Sequence, residues 1–288
     1  MANIGTYIEL ARPGQWIKNG FVLLPLFFAH ALLDPPALQG ALVATFAFCL
    51  AASSVYAFND TRDAARDRLH PDKRQRPVAR GDIRPAYAMM FSAALCIAAL
   101  ALSAAFNLEV TAVIAIYLIM QLAYSLGLKR IAWLDVLMVA SGFALRIIAG
   151  GLAAMVPLTP WILVMGFVLA LMLALGKRHG DLAHAVDPGA RAASRYDVIS
   201  IERVLAGLAG AVLVAYVFYA ISPEVVAHHG HRVFMLSTPW VILGVMRYSF
   251  LVFRRGEGGD PSRLAVRDPI LLSATIGWLS TLSYILYR

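Results

Sequence analysis

Charged and apolar residues separate along this chain into long blocks. Nine stretches run almost without Asp, Glu, Lys or Arg: 20–33, 38–58, 85–106, 109–126, 132–152, 160–176, 203–222, 234–253 and 269–287. Runs of about 20 apolar residues are long enough to cross a ~30 Å hydrocarbon core as α-helices. A helix also satisfies its own backbone hydrogen bonds where no water is available. The pattern predicts an all-α, polytopic membrane protein with nine transmembrane helices. The first stretch is short and broken by Pro25, so it needs neighbouring residues to cross.

Composition agrees with that class. Of 288 residues, 60% are hydrophobic and only 15% charged, too few for the surface of a soluble domain of this length. No cleavable signal peptide is expected, because "MANIGTYIELARPGQWIKNG" is polar and the apolar run begins too late. The two cysteines, Cys49 and Cys96, fall inside spans and read as packing residues. With the N-terminus inside, all but four of the 25 Lys and Arg lie on the cytoplasmic side. The exceptions are Arg146 and Arg247 within spans and Arg232 and Arg288 outside. This bias predicts an N-in, C-out protein of the cell (inner) membrane. The net charge of +8 is then one cytoplasmic face, suited to the bilayer rather than to nucleic acid. Residues 1–288 read as one integral-membrane domain, with loops 59–84, 127–131, 177–202 and 254–268 forming a cytoplasmic active-site mouth.

The segment "NDTRDAARDRLHPDKRQRPVARGDI" (59–83) holds the most concentrated chemistry. Asp60, Asp63 and Asp67 are spaced i, i+3, i+7, and Asn59 and Asp63 i, i+4, so a helix continuing through them places these oxygens on one face. Clustered carboxylates repel, and a divalent cation removes the conflict; hard oxygen donors suit Mg²⁺ better than zinc. A plainer alternative is a solvated loop in which Arg62, Arg66 and Arg68 balance exposed acids. Lys73, Arg74, Arg76 and Arg80 follow, a composition suited to phosphates or to positive-inside retention.

"NDTRDAARD" resembles the NDxxDxxxD signature of the UbiA-type intramembrane prenyltransferases. The likeness extends over "RPGQWIKN" (12–19), "DRLHPDKRQRPVARG" (67–81), "YSLGLKRIAWLD" (124–135), "SGFALRIIAGG" (141–151) and "LGKRHGDL" (175–182). This ordered set is similar to the decaprenyl-phosphate phosphoribosyltransferase branch. The resemblance implies nine helices and Mg²⁺ bound by Asn59, Asp60, Asp63 and Asp67, the three acids being catalytic. It implies 5-phosphoribosyl diphosphate and a polyprenyl phosphate as substrates, contacted by Arg12, Gln15, Lys18, Asn19, Lys73, Arg74, Arg76, Tyr124, Lys129, Arg146, Lys177 and Arg178. Typical prenyl-diphosphate users carry a second Asp-rich motif after the sixth span. Here "GKRHGD" puts Lys177 and Arg178 there and leaves Asp181 nearby, which favours a phosphate over a second metal.

Arg146 reads as pocket or structural glue; it lies eleven residues from Asp135, about 16 Å along a helix and too far for an ion pair. His228, His229 and His231 lie on the outer side and read as a solvated loop. A prenyltransferase moving a prenyl group from a prenyl diphosphate to an aromatic or lipid acceptor is the alternative activity. A transporter would show internal repeats or paired broken spans. A CDP-alcohol phosphotransferase would show a DG…AR…G…D…D pattern, which is missing after "NDTRDAARD".

Overall fold

In a computed structural model of the chain, residues 3–183, 196–222 and 232–287 are described. They form helices and no strand: α1 (Ile4–Ala11), α2 (Leu24–Phe28), α3 (Pro35–Asp67), α4 (Pro77–Arg80), α5 (Pro85–Phe106) and α6 (Leu108–Leu126) come first. There follow α7 (Leu134–Ala154), α8 (Pro160–Ala183), α9 (Val198–Ala220), α10 (Thr238–Arg255), α11 (Pro261–Arg267) and α12 (Pro269–Tyr287). Prolines open six of these, at 35, 77, 85, 160, 261 and 269. At the first helical position the missing N–H costs nothing and the fixed φ is already helical.

Among the described residues eight helices are long and apolar enough to cross a membrane. The ninth stretch expected from sequence, 20–33, is not a long α-helix. Residues Pro13–Leu23 form a 3-10 helix, and α2 adds five residues with Pro25 in its first turn. An α-helix through Pro25 would lose a backbone bond and clash with the carbonyl four residues back, so the chain restarts there.

Packing divides the chain into two compact units, Met1–Leu126 with Leu145–Leu158, and Gly127–Ala144 with Thr159–Arg288. In the first, α3 runs along α5 and also packs on α6, α1, α4 and the 3-10 segment. Its buried face is built from Ala41, Ala44, Ala47, Ala51 and Ala52 around Phe48. Small residues allow close helix approach where lipid offers no hydrophobic drive. Ser54 and Ser92 lock α3 to α5 reciprocally, each hydroxyl donating to the other's carbonyl at 2.8 Å. Gly150 on α7 lies against Val22, and a Cβ there would overlap the Val22 carbonyl.

The second unit packs α8 on α9, and α10 on α9 and α12, around Met172, Leu175, Leu205, Tyr248 and Leu251. Arg247, one of the two basic residues placed within spans by the sequence, forms an ion pair at 2.7 Å with Asp268. Asp268 also caps α12 through the Ile270 and Leu271 N–H groups. The Arg247 hydrogen bond, chiefly, holds the Asp268 carboxyl below the usual carboxylate range.

Candidate active site

Helix α3 has 33 residues, about 50 Å of rise against a ~30 Å core. Its last turns therefore carry Asn59, Asp60, Asp63 and Asp67 past the apolar window on one face. Asp60 and Asp67 are buried, each 1% exposed, and Asn59 and Asp63 half-buried. The plainer alternative of solvated acids does not describe Asp60 and Asp67: two arginines from outside the helix cover them. Arg12 donates to Asp60 Oδ1 at 2.5 Å, while Arg76 Nη1 lies 3.1 Å from Asp60 Oδ1 and 2.7 Å from Asp67 Oδ2.

Local sequence positions both arginines. Arg12 ends α1 in the left-handed conformation (φ 54°), its N–H bonded to Ile8 and Glu9 carbonyls. Pro13 behind it excludes the right-handed helical region and turns the chain away. Tyr56 lies under the Arg12 guanidinium, 5.2 Å from ring centroid. Arg76 sits at the junction of the Lys73–Gln75 3-10 turn and α4. Arg80 clamps that turn by donating to the Gln75 carbonyl, Glu9 and Asp82 at 2.9, 2.9 and 2.7 Å. Arg80 is thus a clasp, and the Asp82 and Glu9 hydrogen bonds hold its pKa above the ordinary arginine value.

The donor set fits a hard divalent cation. Two buried oxygens, Asn59 Oδ1 and Asp60 Oδ2, have no hydrogen-bond partner. Together with the remaining carboxylate oxygens they form an all-oxygen set of the kind Mg²⁺ prefers. Among the described residues no group of three or more His, Cys, Asp or Glu is already arranged as a metal cage. The guanidiniums lie on the carboxylates instead.

The other sequence-predicted residues of the first unit distribute as follows. Asn19 is fully buried, accepts from Arg146 Nε at 2.8 Å and donates to Cys49 Sγ at 3.1 Å. Arg146, 5% exposed, also donates to Tyr117 OH at 3.2 Å and lies over the Phe48 and Tyr117 rings. Its cost in the apolar core is offset by these contacts, which makes it glue between elements. Gln15, Lys18, Lys73 and Tyr124 are half-buried, and Arg74 is exposed. Trp16 donates to Ser53 Oγ at 3.0 Å.

The second unit holds a separate polar cluster. Asp135, 0% exposed, accepts from Arg178 Nε at 2.7 Å and from the Tyr196 hydroxyl, while Arg178 also reaches Asp181 at 3.1 Å. Tyr196 OH in turn accepts the Trp133 N–H at 2.8 Å. Burial first, and then the bond to Asp135, push the Tyr196 pKa up, so it remains a donor. Arg178 is therefore engaged by two carboxylates, whereas Lys177 is exposed and Lys129 half-buried. His179 bonds Glu202 at 3.1 Å. The tyrosine anchor had no sequence signal; Arg178 was expected on a substrate phosphate and Asp135 was weighed only against Arg146, and their pairing with each other was not foreseen. His228, His229 and His231, and positions 184–195 of the 177–202 loop, lie outside the described residues.

Known proteins resemble this chain along nearly its whole length. The decaprenyl-phosphate phosphoribosyltransferase of Mycolicibacterium smegmatis is 34% identical, covering 97% of this chain and 92% of that protein. The protein of that name from Corynebacterium glutamicum is 31% identical, covering 94% and 84%. A UbiA homolog from Archaeoglobus fulgidus, solved bound to GPP and Mg²⁺, shares the fold with a TM-score of 0.75. That alignment covers 98% of this chain and 100% of the other at 19% identity. A profile of the UbiA prenyltransferase family matches residues 21–272. With that match spanning most of its length and the Asn59–Asp67 signature on one face of α3, the chain belongs to the UbiA prenyltransferase family.

Proposed function

We propose that the chain transfers 5-phosphoribose from 5-phosphoribosyl diphosphate to a polyprenyl phosphate of the decaprenyl type, releasing pyrophosphate. The observation that carries this reading is the 34% identity, over 97% of the chain, to a decaprenyl-phosphate phosphoribosyltransferase. The α3 cluster is chemically suited to it. Mg²⁺ held by Asn59, Asp60, Asp63 and Asp67 would supply positive charge where the leaving diphosphate accumulates negative charge. Arg12 and Arg76, each with a side chain 27% exposed, would hold phosphate oxygens through their planar forks. The C1–O bond to diphosphate breaks and a bond from C1 to a lipid phosphate oxygen forms. That oxygen is anionic at neutral pH, so no residue has to remove a proton. Lys73, Arg74, Lys129 and Lys177 supply further positive charge for the two anionic substrates.

In this reading the protein lies in the inner membrane, crosses it nine times with its N-terminus inside, and works on its cytoplasmic face. Family membership favours a second activity, prenyl transfer from a prenyl diphosphate to an aromatic or lipid acceptor. The two differ in their donor. Full-length protein in detergent, given ribose-labelled 5-phosphoribosyl diphosphate, polyprenyl phosphate and Mg²⁺, is expected to move label into the organic phase only when both substrates are present. Label reaching lipid only from a prenyl diphosphate would replace the first reading by the second.

A further inference from the structure

The α3 cluster contains two buried carboxylates and two guanidiniums joined by ion pairs. Asp60 Oδ1 takes both Arg12, at 2.5 Å, and Arg76, at 3.1 Å, while Asp67 Oδ2 takes Arg76 at 2.7 Å. The acid side chains are 1–2% exposed and the arginine side chains 27% exposed, so the acids are sealed and the bases partly reachable. As a set these four groups are neutral. Asp63 stands half-buried on the same helix face.

We propose that Arg12 and Arg76 are exchangeable counterions, so that a divalent cation and a diphosphate bind this site as a coupled pair and each binds poorly alone. This rests on the reading above that a diphosphate is the ligand here. A cation arriving alone competes with two guanidiniums for Asp60 Oδ1 and Asp67 Oδ2 and meets their positive charge. A diphosphate arriving alone draws the arginines off and leaves two sealed carboxylates unpaired, which is strongly unfavourable. When both arrive, every charge changes partner and none is left single: carboxylates go to the cation and guanidiniums to phosphate oxygens. The arginine fork matches phosphate as well as it matches carboxylate. Asn59 Oδ1 and Asp60 Oδ2, buried and unpartnered, give the cation two ligands that it does not have to win from an arginine. Coupling between two bound ligands is reciprocal, and values of about 5- to 150-fold are usual.

A structural role for Arg76 and an exchanging one give opposite predictions for metal binding in the absence of diphosphate. Full-length protein in detergent is titrated with Mn²⁺, and free Mn²⁺ is read by electron paramagnetic resonance. Arg76→Gln is expected to bind Mn²⁺ about fivefold or more tightly than the unsubstituted protein, since its carboxylates are released. Its melting temperature should also rise more on adding Mn²⁺. Unchanged or weaker Mn²⁺ binding overturns the proposal. If Arg76→Gln does not yield folded protein, Arg12→Gln is judged by the same two readouts. The label-transfer assay run on the unsubstituted protein keeps the two readings apart. Transfer without a gain in Mn²⁺ affinity removes the exchange and leaves the donor assignment; the gain without transfer does the reverse.

Discussion

Asp135 is a fully buried side chain whose oxygens are met by a guanidinium, a hydroxyl and a backbone N–H. Its partners are Arg178, the Tyr196 hydroxyl and its neighbour's Val136 N–H, the last at 2.9 Å. Tyr196 connects this side chain to the backbone of Trp133, which sits at φ 68° in a conformation unusual for a bulky residue. The three act as one unit, so their substitutions should not add. Asp135→Asn breaks a buried ion pair and is expected to cost about 3 kcal/mol of stability. Tyr196→Phe leaves the Trp133 N–H without its acceptor and removes one of the two donors to Asp135 Oδ1, at about 1–3 kcal/mol. The double variant should fall clearly short of the sum of the two, as contacting residues do by about 0.5–3 kcal/mol. Unfolding in mixed detergent micelles measures all three, and strict additivity would show the cluster is not a unit. The same scale explains what the sequence hid at α3. Arg62 and Arg66 lie near the acids in sequence, but Arg62 is two positions from Asp60, where helical side chains do not face each other. Its guanidinium goes to the Leu126 carbonyl at 3.3 Å and that of Arg68 to the Ala79 carbonyl at 3.1 Å. Arg12, 48 residues away, arrives instead, and no local spacing encodes that.

At the scale of elements, legibility followed the size of the physical signal. A run of about 20 uncharged residues has few options in a bilayer, and each of the eight long helices coincides with a predicted stretch. The acids of α3 were legible because a period of 3.6 fixes which residues share a face. The 3-10 geometry of Pro13–Leu23 was not, because no local spacing encodes the tertiary packing of that segment, on α3 and, at Val22, against α7. Val22 lies so close to α7 that only glycine fits at 150. Gly150→Ala would drive a methyl group into backbone, which cannot swing aside, and is expected to destabilise by about 1–3 kcal/mol. Gly207 on α9 has nothing within 4 Å of a Cβ, so Gly207→Ala should be neutral or stabilising by up to about 1 kcal/mol. Unfolding of the two variants side by side checks the contrast. Equal stabilities would mean that the Val22 contact does not constrain the helix.

For the whole molecule, the parity of membrane crossings decides whether the two chain ends share a side. Eight long helices would return the chain to the side it started from; nine crossings put the ends on opposite sides, as proposed above. The deciding segment is Pro13–Phe28, whose 16 residues would rise only about 24 Å as an α-helix. Its eleven 3-10 residues rise about 2.0 Å each, giving about 22 Å, and the five of α2 add about 7.5 Å. The sum is about 30 Å, the thickness of the hydrocarbon core. Laid end to end, the two pieces have the length that a crossing needs, which the sequence alone found wanting. Three exposed positions in the first unit read the outcome: Ile4 is 81% exposed, Leu33 84% and Leu69 87%. Each would carry a single cysteine in a protein with Cys49 and Cys96 replaced by serine, and intact cells would be treated with a membrane-impermeant maleimide. Nine crossings with the N-terminus inside predict that Leu33→Cys is labelled from outside, while Ile4→Cys and Leu69→Cys react only after the inner membrane is opened. Labelling of Ile4→Cys and Leu33→Cys from the same side would remove the first crossing and, with it, the odd count on which the N-in, C-out arrangement depends.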